Sequence, residues 1–302
     1  MKEQTVYALG FFDGVHLGHG ALLTACRDLA DELGCRAGVV TFATHPESLT
    51  QGQAPGLINT IRDRELLLRH KYHMDAVVTL PFDRKMMNSP WQDFFRRLTE
   101  ELGAVGLICG EDFRFGHKGE GNAQILLEAC RDAGIPCVVV PQRKLGGTTI
   151  SSTHIRYLIE MGLMQHAIHF LGHPHILSGI VVPGHQLGRR LGIPTANLML
   201  PRELVIPKFG VYACRCIIDG VSYAAVTNVG TRPTVAGVGI TVEPWILDFQ
   251  GDLYGREITL QFFKFLRPEI KFPTLAALQQ AVRQDAEQTK EILRGFSESK
   301  WD

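Results

Sequence analysis

The hydrophobic rhythm of this 302-residue chain changes once, and that change limits its fold more than any other feature. In the first half, β-rich runs alternate with amphipathic stretches: VYALGF, HGALLTACRDLADEL, RAGVVTF, IRDRELLLRHKY, AVVTL, then WQDFFRRLTEEL, VGLIC, NAQILLEACRDAG, PCVVVP and SSTHIRYLIEMG. About five strands each precede a helix, the pattern of a parallel sheet wound on both faces. Beyond residue 175 the runs ILSGIVV, GVYACRCII, VSYAAVTNV, TVEPWIL and EITLQFF follow closely, with Gly and Pro between them. That spacing predicts an antiparallel barrel. The segment PTLAALQQAVRQDAEQTKEIL carries apolar residues at helical spacing behind the start signals Pro273 and Thr274, so a helix should close the chain.

The expected fold class is therefore α/β plus β. A doubly wound parallel-sheet domain spans residues 1–172, and an antiparallel β-barrel with a terminal helix spans 173–302. The linker falls near HFLGHPHILSG, where the helical pattern ends.

Lys and Arg number 31, as do Asp and Glu, so the net charge is zero and nothing favours a polyanion-binding surface. Nucleic acid is not an expected partner. The seven Cys, at 26, 35, 109, 130, 137, 214 and 216, include no C-x-x-C, which suits reduced thiols rather than a disulfide or zinc framework. Cys214 and Cys216 should share one strand face. There is neither a basic, apolar signal segment at the start nor an apolar run near the ~18 residues of a membrane span. A cytoplasmic, soluble chain without a membrane partner is expected.

The stretch ALGFFDGVHLGHGALL, residues 8–23, puts two histidines where a strand ends and a helix begins. Unpaired amides and the helix dipole favour phosphate there. Gly14 and Gly18 allow close backbone approach, and His16 and His19 can donate to phosphate oxygens. The alternative is that the histidines merely cap the helix. Farther on, Ser151, Ser152 and Thr153 stand at a helix start with Arg156 one turn later, so hydroxyls, amides and a guanidinium could converge on phosphate. An ordinary cap with a solvated Arg is the competing reading. His45 and Pro46 follow the second strand, and Asp112, Phe113 and Phe115 the fourth, on the sheet edge where ligands of such folds sit. Those aromatics could equally be core.

FDGVHLGH resembles the H-x-G-H signature of nucleotidylyltransferases. The wider FFDGVHLGH is similar to the flavin adenylyltransferase module of bacterial bifunctional riboflavin kinase/FAD synthetases. TFATHPESL resembles that module's T-F-x-P-H-P segment, GEDFRFG its flavin-side loop, and ISSTHIR its phosphate motif. The resemblance implies ATP contacts at Phe12, Asp13, Gly14, Gly18, Ser151, Ser152 and Thr153, with His45, Pro46 and Asp112 near flavin. FMN phosphate would attack the α-phosphorus of ATP. His16 and His19 would stabilise the developing charge, and Arg156 with the hydroxyl cluster would hold the departing pyrophosphate. One position departs from the pattern: Phe11 stands where family members commonly carry a small or polar residue. It reads either as an altered packing contact or as a ring that crowds the ATP site.

The second half has its own motif, GHQLGRRLGIPTANLML, and the chain has no G-x-x-x-x-G-K-[ST] phosphate loop. Gly188 and Gly192 permit a tight loop and Arg189 and Arg190 add positive charge. Thr195 and Asn197 offer oxygens to a metal that takes few protein ligands, as Mg²⁺ does. A Pro-turned strand with a capping Asn is the plain alternative. The string resembles the L-G-x-P-T-A-N motif of riboflavin kinases, and the resemblance continues through GVYA, TNVGTRPT, VEPWILDF, DLYG and LRPEIKF. It implies phosphate contacts from Gly188, Arg190, Gly192 and Thr195, Mg²⁺ or another divalent cation at Thr195 and Asn197, and Arg267 and Glu269 near flavin. Phosphorylating riboflavin needs a carboxylate to accept the ribityl proton. Glu243 occupies the position of the family's catalytic glutamate, although Pro244 and Trp245 differ from the usual residues after it, and Asp248 is a weaker competitor.

The expected protein is thus an ATP-dependent enzyme that makes FMN from riboflavin in the barrel and FAD from FMN in the α/β domain. Riboflavin, FMN, FAD and ATP are its small-molecule partners, and homo-oligomer formation is left open. Two alternatives are a kinase whose adenylyltransferase is weakened by Phe11, and a noncatalytic flavin-binding regulator.

Overall fold

The computed structural model describes residues 3–45, 55–183, 193–234 and 237–296. Internal contacts divide the chain into two compact units, one of Met1–Pro55 with Arg64–Ser152 and one of Gly56–Asp63 with Thr153–Asp302.

The first unit is built on five parallel strands, β1 (Thr5–Leu9), β2 (Arg36–Phe42), β3 (Ala76–Leu80), β4 (Ala104–Gly110) and β5 (Cys137–Val140), in the order β3-β2-β1-β4-β5. The order reverses between β1 and β4. In sheets of this type ligands settle there, outside the carboxyl ends of the strands. Helices α1 (Leu17–Leu33), α2 (Ile61–His70), α3 (Arg84–Met87), α4 (Trp91–Arg96) and α5 (Ala123–Ala133) supply the connections. β1 is buried along its whole length, as a central parallel strand covered on both faces should be. The expected doubly wound parallel sheet is present. Cys26, Cys109 and Cys130 behave as small buried apolar residues, and every cysteine is a free thiol.

The chain continues through α6 (Ser152–Glu160) and α7 (Met164–Leu171) into the second unit. Its sheet contains β6 (His175–Val182), β7 (Asn197–Met199), β8 (Gly210–Ile218), β9 (Val221–Thr234), β10 (Gly237–Ile246) and β11 (Glu257–Arg267), ordered β7-β6-β11-β8-β9-β10 with antiparallel pairings throughout. The ends nearly close: Thr195 bridges Trp245, and the Ala196 amide donates to the Pro244 carbonyl at 3.0 Å. This is the expected barrel. Tyr212, Cys214 and Cys216 are buried at alternate positions of β8, so the two thiols share a face as predicted. Val211 and Val226 lie in an apolar cluster with Ala286 of the terminal helix α8 (Leu275–Arg294). Thr274 caps α8 by accepting from the Ala277 amide at 3.2 Å, as its position in the sequence suggested. At the other end Arg215 donates to the carbonyls of Leu293 and Phe296, where a cation also opposes the helix dipole.

His175 in β6 is fully buried beside the Phe262 ring, and neither of its ring nitrogens has a hydrogen-bond partner among the described residues. Burial, then nearby His173, pushes its pKa from 6.5 down to about 3. The folded value is depressed, so the associated stability is present above pH 6.5 and is lost as pH falls towards 3. The unfolding free energy should fall below pH 6.5 by up to ~1.4 kcal/mol per pH unit from this residue. Urea titrations of the native chain and His175→Leu test this. The variant should show a shallower acid slope, and an unchanged slope would refute the assignment.

Candidate active sites

Between β1 and α1 the chain makes a tight turn, Asp13–Val15, with three residues at positive φ: Phe12 at 57°, Gly14 at 80° and Val15 at 39°. Phe12 and Val15 are sterically ill suited to that region, and backbone held there usually serves a site. The turn delivers His16 to the N-terminus of α1. There His16 Nδ1 accepts the His19 amide hydrogen at 3.2 Å, so the ring proton sits on Nε2. His16 therefore does cap the helix, and the same bond fixes its tautomer with a donor on the opposite edge. The two imidazoles stack at 3.6 Å between centroids, 11° from parallel, with the edge of Phe12 against His19. Burial, then His16, then Arg64 hold His19 well below the ordinary histidine pKa, so it is a neutral, dipolar group near pH 7.

The serine motif abuts this turn, since Ser152 Oγ donates to the Asp13 carbonyl at 2.9 Å. That hydroxyl ties two sequence-distant motifs together, a use the sequence did not predict for it. A Cβ on Gly18 would lie 3.0 Å from two atoms of the His16 ring. Gly18→Ala should therefore tilt the imidazole while the chain stays folded, which the ¹⁵N-imidazole shifts of His16 check; unmoved shifts would show that the contact does not seat the ring.

Phe11, the departure from the family pattern, is partly buried, with its ring edge-on to His45 at 4.6 Å. Asp112 lies just beyond β4, exposed, and accepts from Gln142 Nε2 at 3.2 Å. Phe115 is core, packed on Phe94 and Trp91, with Phe113 stacked on it. Phe115 also borders a cavity of about 1140 Å³ whose apolar floor includes Phe42, Phe82 and Phe94, with Arg96, Arg114 and Lys118 at its wall. His45 and Asp112 do not line it. Arg156 and Thr153 group with the second unit, where Arg156 Nε donates to the Gly56 carbonyl at 2.7 Å. Pro46 lies outside the described residues.

In the second unit a cavity of about 570 Å³ opens between β9, β10 and α8. Thr195, Glu243, Arg267 and Glu269 all line it, so four residues scattered through 75 positions converge on one pocket. Glu243 pairs with Asn228 across β9 and β10, and Asn228 Nδ2 donates to Glu269 Oε1 at 2.9 Å. Arg267 does not point freely at a ligand. It makes a bidentate pair with Asp285 of α8, at 2.8 to 3.2 Å, and its guanidinium faces Phe272. Asp248 is exposed, pairs with Lys290 at 3.4 Å and lies away from the pocket lining, whereas Glu243, Glu269 and Asp285 all line it. Asn197 Oδ1 is buried without a hydrogen-bond partner among the described residues. Asn197 is not among the residues that line the cavity, but a buried, orphaned amide oxygen two residues from pocket-lining Thr195 suits a hard divalent cation. Gly188, Arg189, Arg190 and Gly192 lie outside the described residues.

Asn228, Phe272 and Asp285 line the same pocket and were not singled out in the sequence, and Trp245, noted there only as a departure, lines it too. Asn228, Trp245 and Phe272 sit within strings that resemble the family. Asp285 gave no signal, because an Asp on an amphipathic helix reads as solvated surface.

A parallel-sheet unit with a histidine pair at a helix N-terminus, joined to a barrel with a carboxylate-bearing pocket, defines an ATP-dependent transferase with two separate sites. Family models agree: FAD synthetase matches residues 1–154 and riboflavin kinase matches 171–293. The bifunctional riboflavin kinase/FMN adenylyltransferase of Pseudomonas fluorescens is 38% identical over 93% of this chain and 90% of its own length. That of Escherichia coli K12 is 36% identical over 94% and 91%. A solved structure from Streptococcus pneumoniae, described as a macrolide-efflux protein, superposes with a TM-score of 0.85 at 28% identity over 98% of this chain and 96% of that one. No described helix of this chain is long and apolar enough to cross a membrane. The chain belongs to the bifunctional riboflavin kinase/FMN adenylyltransferase family, and it is an enzyme that phosphorylates riboflavin to FMN and adenylylates FMN to FAD.

Proposed function

We propose that the two activities are divided between the units as follows. FMN adenylylation occurs at the turn of residues 12–19, and the observation that carries this is the stacked, tautomer-fixed histidine pair at the start of α1. His16 donates from Nε2 to the α-phosphate as negative charge develops, and His19, kept neutral by burial, contributes a second N–H. Phe12, Asp13, Gly14 and Gly18 shape the nucleotide cradle. Ser151, Ser152, Thr153 and, one turn farther along α6, Arg156 hold the departing pyrophosphate. No covalent intermediate is needed, so positioning and charge stabilisation supply the rate. The flavin ring enters the cavity lined by Phe42, Phe82 and Phe115, and His45, Pro46 and Asp112 are assigned to the flavin side on the family resemblance.

Riboflavin phosphorylation occurs in the barrel pocket. Glu243 accepts the ribityl hydroxyl proton as that oxygen attacks the γ-phosphorus. Thr195 and Asn197 hold Mg²⁺, which when bound offsets phosphate charge, and Gly188, Arg190 and Gly192 contact phosphate. Glu269, oriented by Asn228, borders the flavin, and Arg267 shapes that wall by fixing α8. The domain boundary is placed at 172–173, just inside the start of the riboflavin kinase match at residue 171 and beyond the end of the FAD synthetase match at 154. The chain acts in the cytoplasm on riboflavin, FMN, FAD and ATP, without nucleic acid or membrane.

The experiment is to incubate the purified protein with ATP, Mg²⁺ and either riboflavin or FMN, and to separate the flavins chromatographically. FAD from both starting flavins, lost on chelation with EDTA and restored by Mg²⁺, is the expected result. FMN accumulating without FAD would confine activity to the barrel, and restoration of FAD formation by Phe11→Asn would then trace the loss to Phe11. Turnover that persists in EDTA would refute the metal assignment.

A further inference from the structure

Arg64, in α2, is 1% exposed, one of the largest fully buried side chains of the molecule. Its Nη1 donates to the Phe11 carbonyl at 2.9 Å, the Phe42 carbonyl at 3.0 Å and Thr41 Oγ1 at 3.1 Å. Thr41 Oγ1 in turn donates to the same Phe11 carbonyl at 2.8 Å. The guanidinium carbon lies 4.2 Å from the centroid of the Phe11 ring. Nε and Nη2 have no hydrogen-bond partner among the described residues, and Arg64 forms no ion pair among them.

A buried guanidinium costs several kcal/mol of desolvation, and the carboxylate of buried Asp13 offsets part of that cost. Here the cation lies where β1 and β2 end. It fixes the first residue of the strained turn that carries the histidines, and it is covered by an aromatic face, which attracts a cation more strongly when water is excluded.

We infer that Arg64 is a positioning residue of the adenylyltransferase site, pinning the Phe11 carbonyl to the end of β2 and keeping a water-shielded positive charge beside the histidine turn. The inference rests on the assignment of FMN adenylylation to His16 and His19. It also gives Phe11 a part: its carbonyl is the anchor and its ring is the shield. The charge acts through His19 and the turn rather than by touching substrate, so turnover should suffer more than nucleotide affinity. The titratable and charged groups that act on this cluster are His16, stacked on His19 from the same helix turn, Arg64 from α2, and Asp13, whose carboxylate favours the charged form of Arg64.

The test is Arg64→Met, which keeps length without charge, beside Arg64→Lys, which keeps charge without the fork. The far-ultraviolet circular dichroism and melting temperature of each variant report on folding. Arg64→Met should lower kcat for FAD formation at least about tenfold while the KM for ATP moves less than about threefold, and Arg64→Lys should recover much of that loss. In ¹⁵N-imidazole spectra, His19 should protonate at a higher pH in Arg64→Met than in the native chain. Unchanged kcat in Arg64→Met overturns the inference. So do equal losses in the Met and Lys variants with the His19 titration unmoved, which would mark a merely structural residue. His16→Ala in the same assay separates the two claims. If it abolishes FAD formation and Arg64→Met does not, only the inference fails; if FAD formation survives it, the site assignment fails and the inference with it.

Discussion

Replacing His16 or His19 with alanine should slow FAD formation from FMN by about a hundred- to thousandfold, the cost of removing one preorganised donor from developing phosphate charge. Riboflavin phosphorylation by the same variants should stay near the native rate. His16 has a second role that must be separated from the first, because it caps α1 through Nδ1 and loss of such a cap alone costs ~1 kcal/mol of stability. His16→Asn is the control. Asparagine is a good N-cap but carries no Nε2 donor, so the variant should keep the native melting temperature and still lose FAD formation. If His16→Asn retained native activity, the histidine would be a cap and nothing more.

Glu243→Gln should lower riboflavin phosphorylation by about a hundred- to ten-thousandfold, the range expected for loss of a general base, and leave FMN adenylylation unaffected. The substitution preserves shape and the cross-strand pairing with Asn228, so the loss would report proton transfer rather than packing. Asp248→Asn should do little, since that carboxylate is exposed and paired with Lys290 away from the pocket. Reversal of the two effects would move the base to Asp248.

The fold was legible because its elements are long and strongly periodic, with β1 to β5 separated by helical stretches and Thr274 standing where α8 needs a cap. The histidine pair was legible for a local reason, as both residues lie in one short string. What the sequence concealed depends on distance along the chain. The bond from the Ser152 hydroxyl to the Asp13 carbonyl, 139 residues away, left no trace in either motif. Arg267, expected near flavin, lines the pocket and also holds Asp285 of α8, a residue whose sequence context reads as surface. Arg64 sits within RDRELLLRH, where charges at helical spacing suggest a solvated face, and only the folded sheet ends reveal it as buried. Phe11 raised two readings. Its ring packs on Arg64 and His45, which fits the packing-contact reading, and the activity of the first site decides between them.

The central claim is that two chemistries occupy two sites with separate residues, so the most direct measurement is complementation between variants. His16→Asn supplied with riboflavin, ATP and Mg²⁺ should stop at FMN, and Glu243→Gln should leave riboflavin untouched while converting added FMN to FAD. Mixed in one vessel with riboflavin, they should together make FAD, because FMN released by one chain can be used by the other. A mixture that makes FMN but no FAD, or a single variant that loses both activities while remaining folded, would contradict the division of labour.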